Sequence, residues 1–266
     1  MIKDDPRWWA PPLFNLYIDR LMQRHFHGIR LLGSSPDLDP RIPVLLTPNH
    51  STWWDGFFVY LLNRRLWRRP FHLMMLEEQL AQNLFFQKLG VYGIRQDSLS
   101  EVRKAVMHTV ARLEQREGMT IGRRVQGALD RSSDNIWTPD LPTAPALVWY
   151  PQGELLPWDR RPLGVKRGLE RVVKRYRKPL QMLPVGIKPV FLRDQRPDLF
   201  LQCGGPVRFE GEGWQAEAWD ERMVALLDEM TERIAKGERG RLLLRGQPSV
   251  NERMSTLGKR FRRIVR

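Results

Sequence analysis

A chain of 266 residues with a single cysteine, Cys203, cannot build an internal disulfide framework or a cysteine-rich metal site. Cys203 closes the apolar run Leu199-Phe200-Leu201-Gln202-Cys203 and reads as a small core residue rather than a nucleophile. The chain also lacks any uninterrupted apolar stretch of the roughly 18 residues that a bilayer-spanning helix needs. Its acidic, Trp-rich start has no signal-peptide-like apolar core, so the protein is expected to be made and retained in the cytoplasm. There is no internal repeat and no zinc-ligand spacing, so no metal is expected. Acidic residues are in deficit: 30 Asp and Glu against 44 Lys and Arg leave a formal charge of +14. That excess favours anionic partners, meaning phospholipid headgroups, coenzyme phosphates or nucleic acid.

Strand and helix signals alternate along the chain. Short apolar runs at 43–47, 71–76, 90–95, 146–150 and 180–187, with one or two more in 198–209, read as buried strands. Helical spacing marks 56–63, 99–116, 166–176 and 215–236. Together they imply a single α/β domain with a mostly parallel central sheet flanked by helices. Residues 1–32 are assigned to an N-terminal amphipathic helix: Phe14, Tyr17, Ile18, Leu21, Met22 and His25 form a stripe, and Trp8 and Trp9 precede it. An ordinary packed helix explains the stripe equally well; the paired tryptophans favour contact with a membrane interface. The main domain is assigned to residues 33–238, with a polar, Pro-rich loop insertion at 117–145, and the basic tail to 239–266.

The densest chemistry lies in Pro48-Asn49-His50-Ser51-Thr52-Trp53-Trp54-Asp55-Gly56, just after the first apolar run. An imidazole can take a proton from a hydroxyl near neutral pH if a partner fixes its tautomer, and Asp55 is a candidate partner. On a continuous helix, side chains five residues apart point about 140° from one another, so the pair requires a turn between them. Asp55 before the apolar 57–62 run looks like a helix N-cap on which that turn folds back. Taken alone, the spacing fits a capped helix and a loop histidine better than a catalytic pair.

Asn49-His50, four residues and Asp55 resemble the first signature of the glycerolipid acyltransferase superfamily, which includes the lysophosphatidic acid acyltransferases. Gly90-Val91-Tyr92-Gly93-Ile94-Arg95, Tyr150-Pro151-Gln152-Gly153-Glu154 and Leu183-Pro184-Val185-Gly186-Ile187 resemble its second, third and fourth blocks, in order. The resemblance implies an enzyme that moves a fatty acyl group from acyl-CoA or an acyl carrier protein to a hydroxyl of a glycerolipid or lysophospholipid. His50 is then the general base and Asp55 its orienting partner. No bound cofactor is implied, the acyl thioester being a co-substrate. Arg95, Gln152 and Gly153 would bind the acceptor, and the Gly153 backbone would stabilise the oxyanion. Asn49, Glu154 and Lys166 are further candidates.

The third block departs from its usual Pro-Glu-Gly-Thr-Arg: Gln152 stands for the glutamate and Leu155 for the arginine. A less charged acceptor, such as a neutral lipid or a carotenoid glycoside, is the alternative substrate. The expected partners are an anionic membrane surface, the thioester donor and a lipid acceptor. The rival from another class is a basic nucleic-acid- or lipid-binding protein without catalysis. It would use Arg64, Arg65, Arg68, Arg69 and the arginine-rich end, but no RNA-binding strand motif supports it, and no nucleic acid is expected.

Overall fold

In the computed structural model, which describes residues 1–95, 97–114, 143–192 and 194–247, β2 (Val44–Pro48) is buried along its whole length. A strand covered on both faces favours apolar side chains, which Val44, Leu45 and Leu46 supply, while the buried Thr47 satisfies its hydroxyl by donating to the Leu183 carbonyl at 3.1 Å. Their alternation splits the core. Val44 and Leu46 face a layer with Phe14, Ile18 and Met22 from α1 (Ala10–His25) and Phe58 and Leu62 from α2 (Asp55–Leu66). Leu45 faces the opposite layer, filled by α4 (Leu99–Glu114), α5 (Gly168–Tyr176) and α6 (Ala216–Ala235) through Val110, Leu169, Val173, Met223 and Leu227.

The remaining strands are β1 (Gly28–Leu32), β3 (Phe71–Leu76), β4 (Val91–Ile94), β5 (Ala146–Val148), β6 (Leu180–Val190), β7 (Asp198–Cys203), β8 (Val207–Phe209) and β9 (Arg241–Arg245). Their order is β4-β3-β5-β2-β6-β7-β1-β9, with β8 paired to β6. Strands β4, β3, β5, β2 and β6 run parallel, so their carboxyl ends reach one edge of the sheet. β7 turns back antiparallel to β6, and β1 follows β7 in parallel. This is a mostly parallel α/β sheet flanked by helices, as the alternating signals imply. A short helix, α3 (Glu77–Gln82), and a 3₁₀ turn (Leu84–Leu89) lead into β4.

Three local readings differ from the sequence expectation. The segment assigned wholly to an amphipathic helix contains β1, an interior strand. Its central Arg30 breaks the apolar run but is accommodated by Asp198, whose Oδ1 accepts from Nε at 3.1 Å. The start of the basic tail, Arg241–Arg245, is an edge strand antiparallel to β1, and its terminal arginines suit an exposed edge. On α1 the buried line is Ala10, Phe14, Ile18 and Met22, with Leu21 partly buried against the same core; Tyr17 and His25 are exposed. The tail beyond residue 247 and nearly all of the 117–145 insertion lie outside the described residues.

The glycine-led second block has a backbone cause. Gly90 has φ +91°, and a Cβ there would lie 2.2 Å from the Phe71 carbonyl oxygen, so no side chain fits. Gly93 lets the start of α3 approach, since a Cβ would meet the Glu77 backbone at 3.2 Å. Gly90→Ala is therefore expected to destabilise the fold by about 1–3 kcal/mol, read as a lower urea midpoint. An unchanged midpoint would show that β3 and β4 can separate freely. Cys203 ends β7, where burial pushes its thiol up to about 12, which suits a packing residue.

Candidate active site

The pairing of β2 with β6 ends at Pro48, opposite Val185, while β6 itself continues to Val190. Asn49 replaces the missing ladder with its side chain: Nδ2 donates to the Ile187 carbonyl at 3.0 Å and Oδ1 accepts from the Ile187 N–H at 2.7 Å. Buried backbone groups require such partners, so Asn49 is a clamp that sets where the next residue leaves the sheet. That residue is His50.

The His50 backbone is held by the loop after β5. Its N–H donates to Oε1 of Gln152 at 2.6 Å, and its carbonyl accepts from the Leu156 N–H at 3.0 Å. The imidazole stacks on the Tyr150 ring, with centroids 3.9 Å apart and planes inclined by 22°. On the ring's edge, Nδ1 lies 2.9 Å from Oδ2 of Asp55. The same oxygen accepts from the N–H groups of Ser51 at 2.7 Å and Thr52 at 2.9 Å, and Oδ1 accepts from the Thr52 hydroxyl at 2.6 Å.

This arrangement corrects the expected cap. Trp54 occupies the N-cap position of α2, and Asp55 is the first helical residue. Its carboxylate reaches backward to the amides of the His-bearing turn, folding the six residues from His50 to Asp55 so that imidazole and carboxylate meet. Three hydrogens, from the Ser51 and Thr52 amides and the Thr52 hydroxyl, converge on a fully buried carboxylate that can only accept, so the Nδ1 facing it carries the proton and donates. Nε2 is left as the ring's basic nitrogen, and the side chain remains 23% exposed. A fixed tautomer with an accessible basic nitrogen is what proton abstraction from a hydroxyl requires.

Tyr150 and Thr52 complete the support, and neither stands out as a site residue in sequence. The Tyr150 hydroxyl is buried without a protein partner among the described residues. Burial, with the nearby Asp55 charge, holds the phenol well above its usual range, so the ring stays neutral beside the imidazole. Beside the dyad, Thr52, Trp54, Phe58, His25, Phe26, Pro189 and Pro197 line an apolar recess of about 220 Å³.

The other sequence candidates divide. Gly153 has φ +72° and donates its N–H to the Tyr150 carbonyl at 3.1 Å, a tight turn that returns Gln152 to His50. Glu154 and Lys166 pair with each other at 3.0 Å, both more than half exposed. Lys166 also packs its aliphatic chain against Gly153, 3.2 Å from where a Cβ would stand on that residue. Arg95 leaves the carboxyl end of β4 on the same edge of the sheet as His50, exposed and ion-paired with Asp97. Three strand steps separate β4 from β2, about 14 Å at ordinary strand spacing. Thus His50, Asp55, Gln152 and Asn49 are brought together, and Arg95 lies to one side.

No family model matches the chain, and no curated protein matches it. Among solved structures, the chain is similar to the crystal structure of the 1-acyl-sn-glycerophosphate (LPA) acyltransferase, PlsC, from Thermotoga maritima, with a TM-score of 0.48 and 15% sequence identity over 78% of this chain and 73% of that chain.

Proposed function

We propose that this chain is an O-acyltransferase that moves a fatty acyl group from a thioester of coenzyme A or an acyl carrier protein to a lipid hydroxyl. The carrying observation is the 2.9 Å contact between His50 Nδ1 and a carboxylate already saturated by its own turn. His50 Nε2 takes the acceptor hydroxyl's proton as its oxygen attacks the thioester carbonyl. The tetrahedral intermediate collapses, the C–S bond breaks, and the departing thiolate recovers that proton from the imidazolium. No covalent enzyme intermediate is needed. The test is transfer from labelled palmitoyl-coenzyme A to a lipid extract by wild type and His50→Ala; equal rates in the two would sink this reading.

A glycerolipid or lysophospholipid is the first acceptor proposed, with Arg95 reaching a headgroup phosphate from the side of the site. The alternative is a neutral or glycosylated lipid, favoured by the exposed Leu155 and by the engagement of Arg95 with Asp97. An acceptor screen separates them, since Arg95→Ala should raise KM for phosphorylated acceptors only.

We also propose peripheral attachment to anionic membrane at the cytoplasmic face. Among the described residues no helix is long and apolar enough to cross a membrane. Trp8, Trp9, Leu13, Leu16 and Tyr17 are exposed along the start of α1. An aromatic series joins them to the His50 loop, from Trp9 to Phe85, Phe14, Phe57 and the exposed Trp53. Trp8→Ser with Trp9→Ser is expected to weaken binding to phosphatidylglycerol vesicles about tenfold or more in a sedimentation assay. Tight binding to single-stranded DNA with none to vesicles would favour the non-catalytic rival.

A further inference from the structure

Gln152 is a buried residue whose two amide atoms face different demands. Only 2% of it is exposed. Its Oε1 is committed to the His50 N–H at 2.6 Å, and because an N–H needs an acceptor this contact sets which way the amide points. The nitrogen, Nε2, therefore carries two N–H donors, and no protein group among the described residues accepts from it. The residue as a whole is buried, but Nε2 is not among the buried polar atoms that lack a partner, so these donors stay open to solvent or to a ligand that takes its place. The planar amide keeps Nε2 within one functional group of the His50 backbone. The backbone donor suggested by sequence, Gly153 N–H, is turned onto the Tyr150 carbonyl at 3.1 Å.

We infer that the Gln152 side-chain N–H donates to the thioester carbonyl oxygen as it becomes an oxyanion, an assignment that rests on the acyl-transfer reading above. As the acceptor oxygen bonds to the carbonyl carbon and its proton passes to His50 Nε2, the C=O π pair moves onto oxygen. That oxygen accepts from Gln152 Nε2. When the pair returns, the C–S bond breaks and the thiolate takes the proton from His50. One side chain then holds the base by its oxygen and the developing charge by its nitrogen. A preorganised neutral donor of this kind acts most strongly where water is excluded.

Gln152→Glu separates the two tasks. A glutamate keeps the acceptor for the His50 N–H but replaces the donor with a second oxygen, whereas Gln152→Ala removes both. With labelled palmitoyl-coenzyme A and vesicles containing lysophosphatidic acid and monoacylglycerol, Gln152→Glu is expected to lower kcat by about 10²–10³-fold with KM for the donor unchanged. It should be no faster than Gln152→Ala. A Gln152→Glu enzyme at the wild-type rate, with Gln152→Ala slow, would reduce Gln152 to a backbone anchor and overturn the inference. Wild type and His50→Ala transferring equally would instead overturn the acyl-transfer reading and the inference with it. A second measurement needs no variant. Binding of S-(2-oxoheptadecyl)-coenzyme A, a ketone that cannot be transferred, should move the Gln152 side-chain amide proton downfield by NMR; an unmoved resonance in the saturated complex would also overturn it.

Discussion

His50→Ala is expected to slow acyl transfer by about 10²–10⁴-fold, and Asp55→Asn by a comparable factor, while the double variant should be no slower than the worse single. The two side chains act as a unit. Without the imidazole there is no base for Asp55 to orient, and without the carboxylate the imidazole has no reason to keep its proton on Nδ1. Asparagine is the sharper probe because it preserves the shape. Three donors meet at Oδ2 of Asp55 and one at Oδ1. Whichever way an amide is turned, its NH₂ confronts a hydrogen that needs an acceptor. If the nitrogen takes the Oδ2 position, the Ser51 and Thr52 amides lose their partner and the turn opens. If it takes the Oδ1 position, only the Thr52 hydroxyl must rotate, and the amide oxygen is a weaker anchor for His50. Single-turnover rates with labelled palmitoyl-coenzyme A would measure all three variants. Additive losses would mean that His50 and Asp55 work independently. Thr52→Val is the control, removing one hydroxyl bond to Asp55 while leaving the His50 contact; its penalty should be far smaller.

The same residues explain what sequence could and could not disclose. The 43–47 run was legible because β2 is buried on both faces and therefore apolar except at Thr47, and its position fixed the exit of His50. Local patterning also exposed α4 and α6, whose inward positions recur at helical spacing. β1 escaped because Arg30 interrupts it, with compensation from far along the chain where Asp198 accepts from Arg30, and β9 because its three leucines are a short run flanked by arginines. Site support was hidden for a similar reason. Gln152 and His50 are 102 residues apart, and the stacking of Tyr150 on the imidazole follows from β5 lying beside β2. Periodicity carries no information about such pairs. The four blocks fall on the exit of β2, on β4, on the turn after β5 and on β6, and their local tasks were not legible: Asn49 completes a strand ladder, and Gly90 and Gly93 serve close backbone approach.

A buried charge cluster outside every block carries the largest expected stability effect. Asp4 is fully buried by side chain; its Oδ2 faces His72 Nδ1 at 2.8 Å, and its Oδ1 faces His108 Nε2 at 2.9 Å and accepts from Arg112 Nη2 at 2.6 Å. It ties the first residues to β3 and α4, and the adjoining Ile2 carbonyl accepts from the Gly93 N–H at 2.7 Å. Removing one partner of such a cluster leaves buried charge uncompensated, so Asp4→Asn should destabilise the fold by about 3–5 kcal/mol at neutral pH. Burial alone would raise the Asp4 carboxyl's pKa, but the hydrogen bonds from His108 and His72 and the charges of His72 and Arg112 overcome it and hold it well below the usual carboxylate range. A carboxyl depressed in the folded state contributes stability above its unfolded value, near pH 4, and loses that contribution as pH falls towards the folded value. The gap in urea midpoint between wild type and Asp4→Asn should therefore be widest at neutral pH and narrow below about pH 4. Other paired carboxylates titrate in the same window in both proteins and cancel in the difference. A gap that stays constant with pH would mean that the loss comes from packing alone and that the Asp4 charge contributes nothing to holding the amino-terminal segment against the sheet.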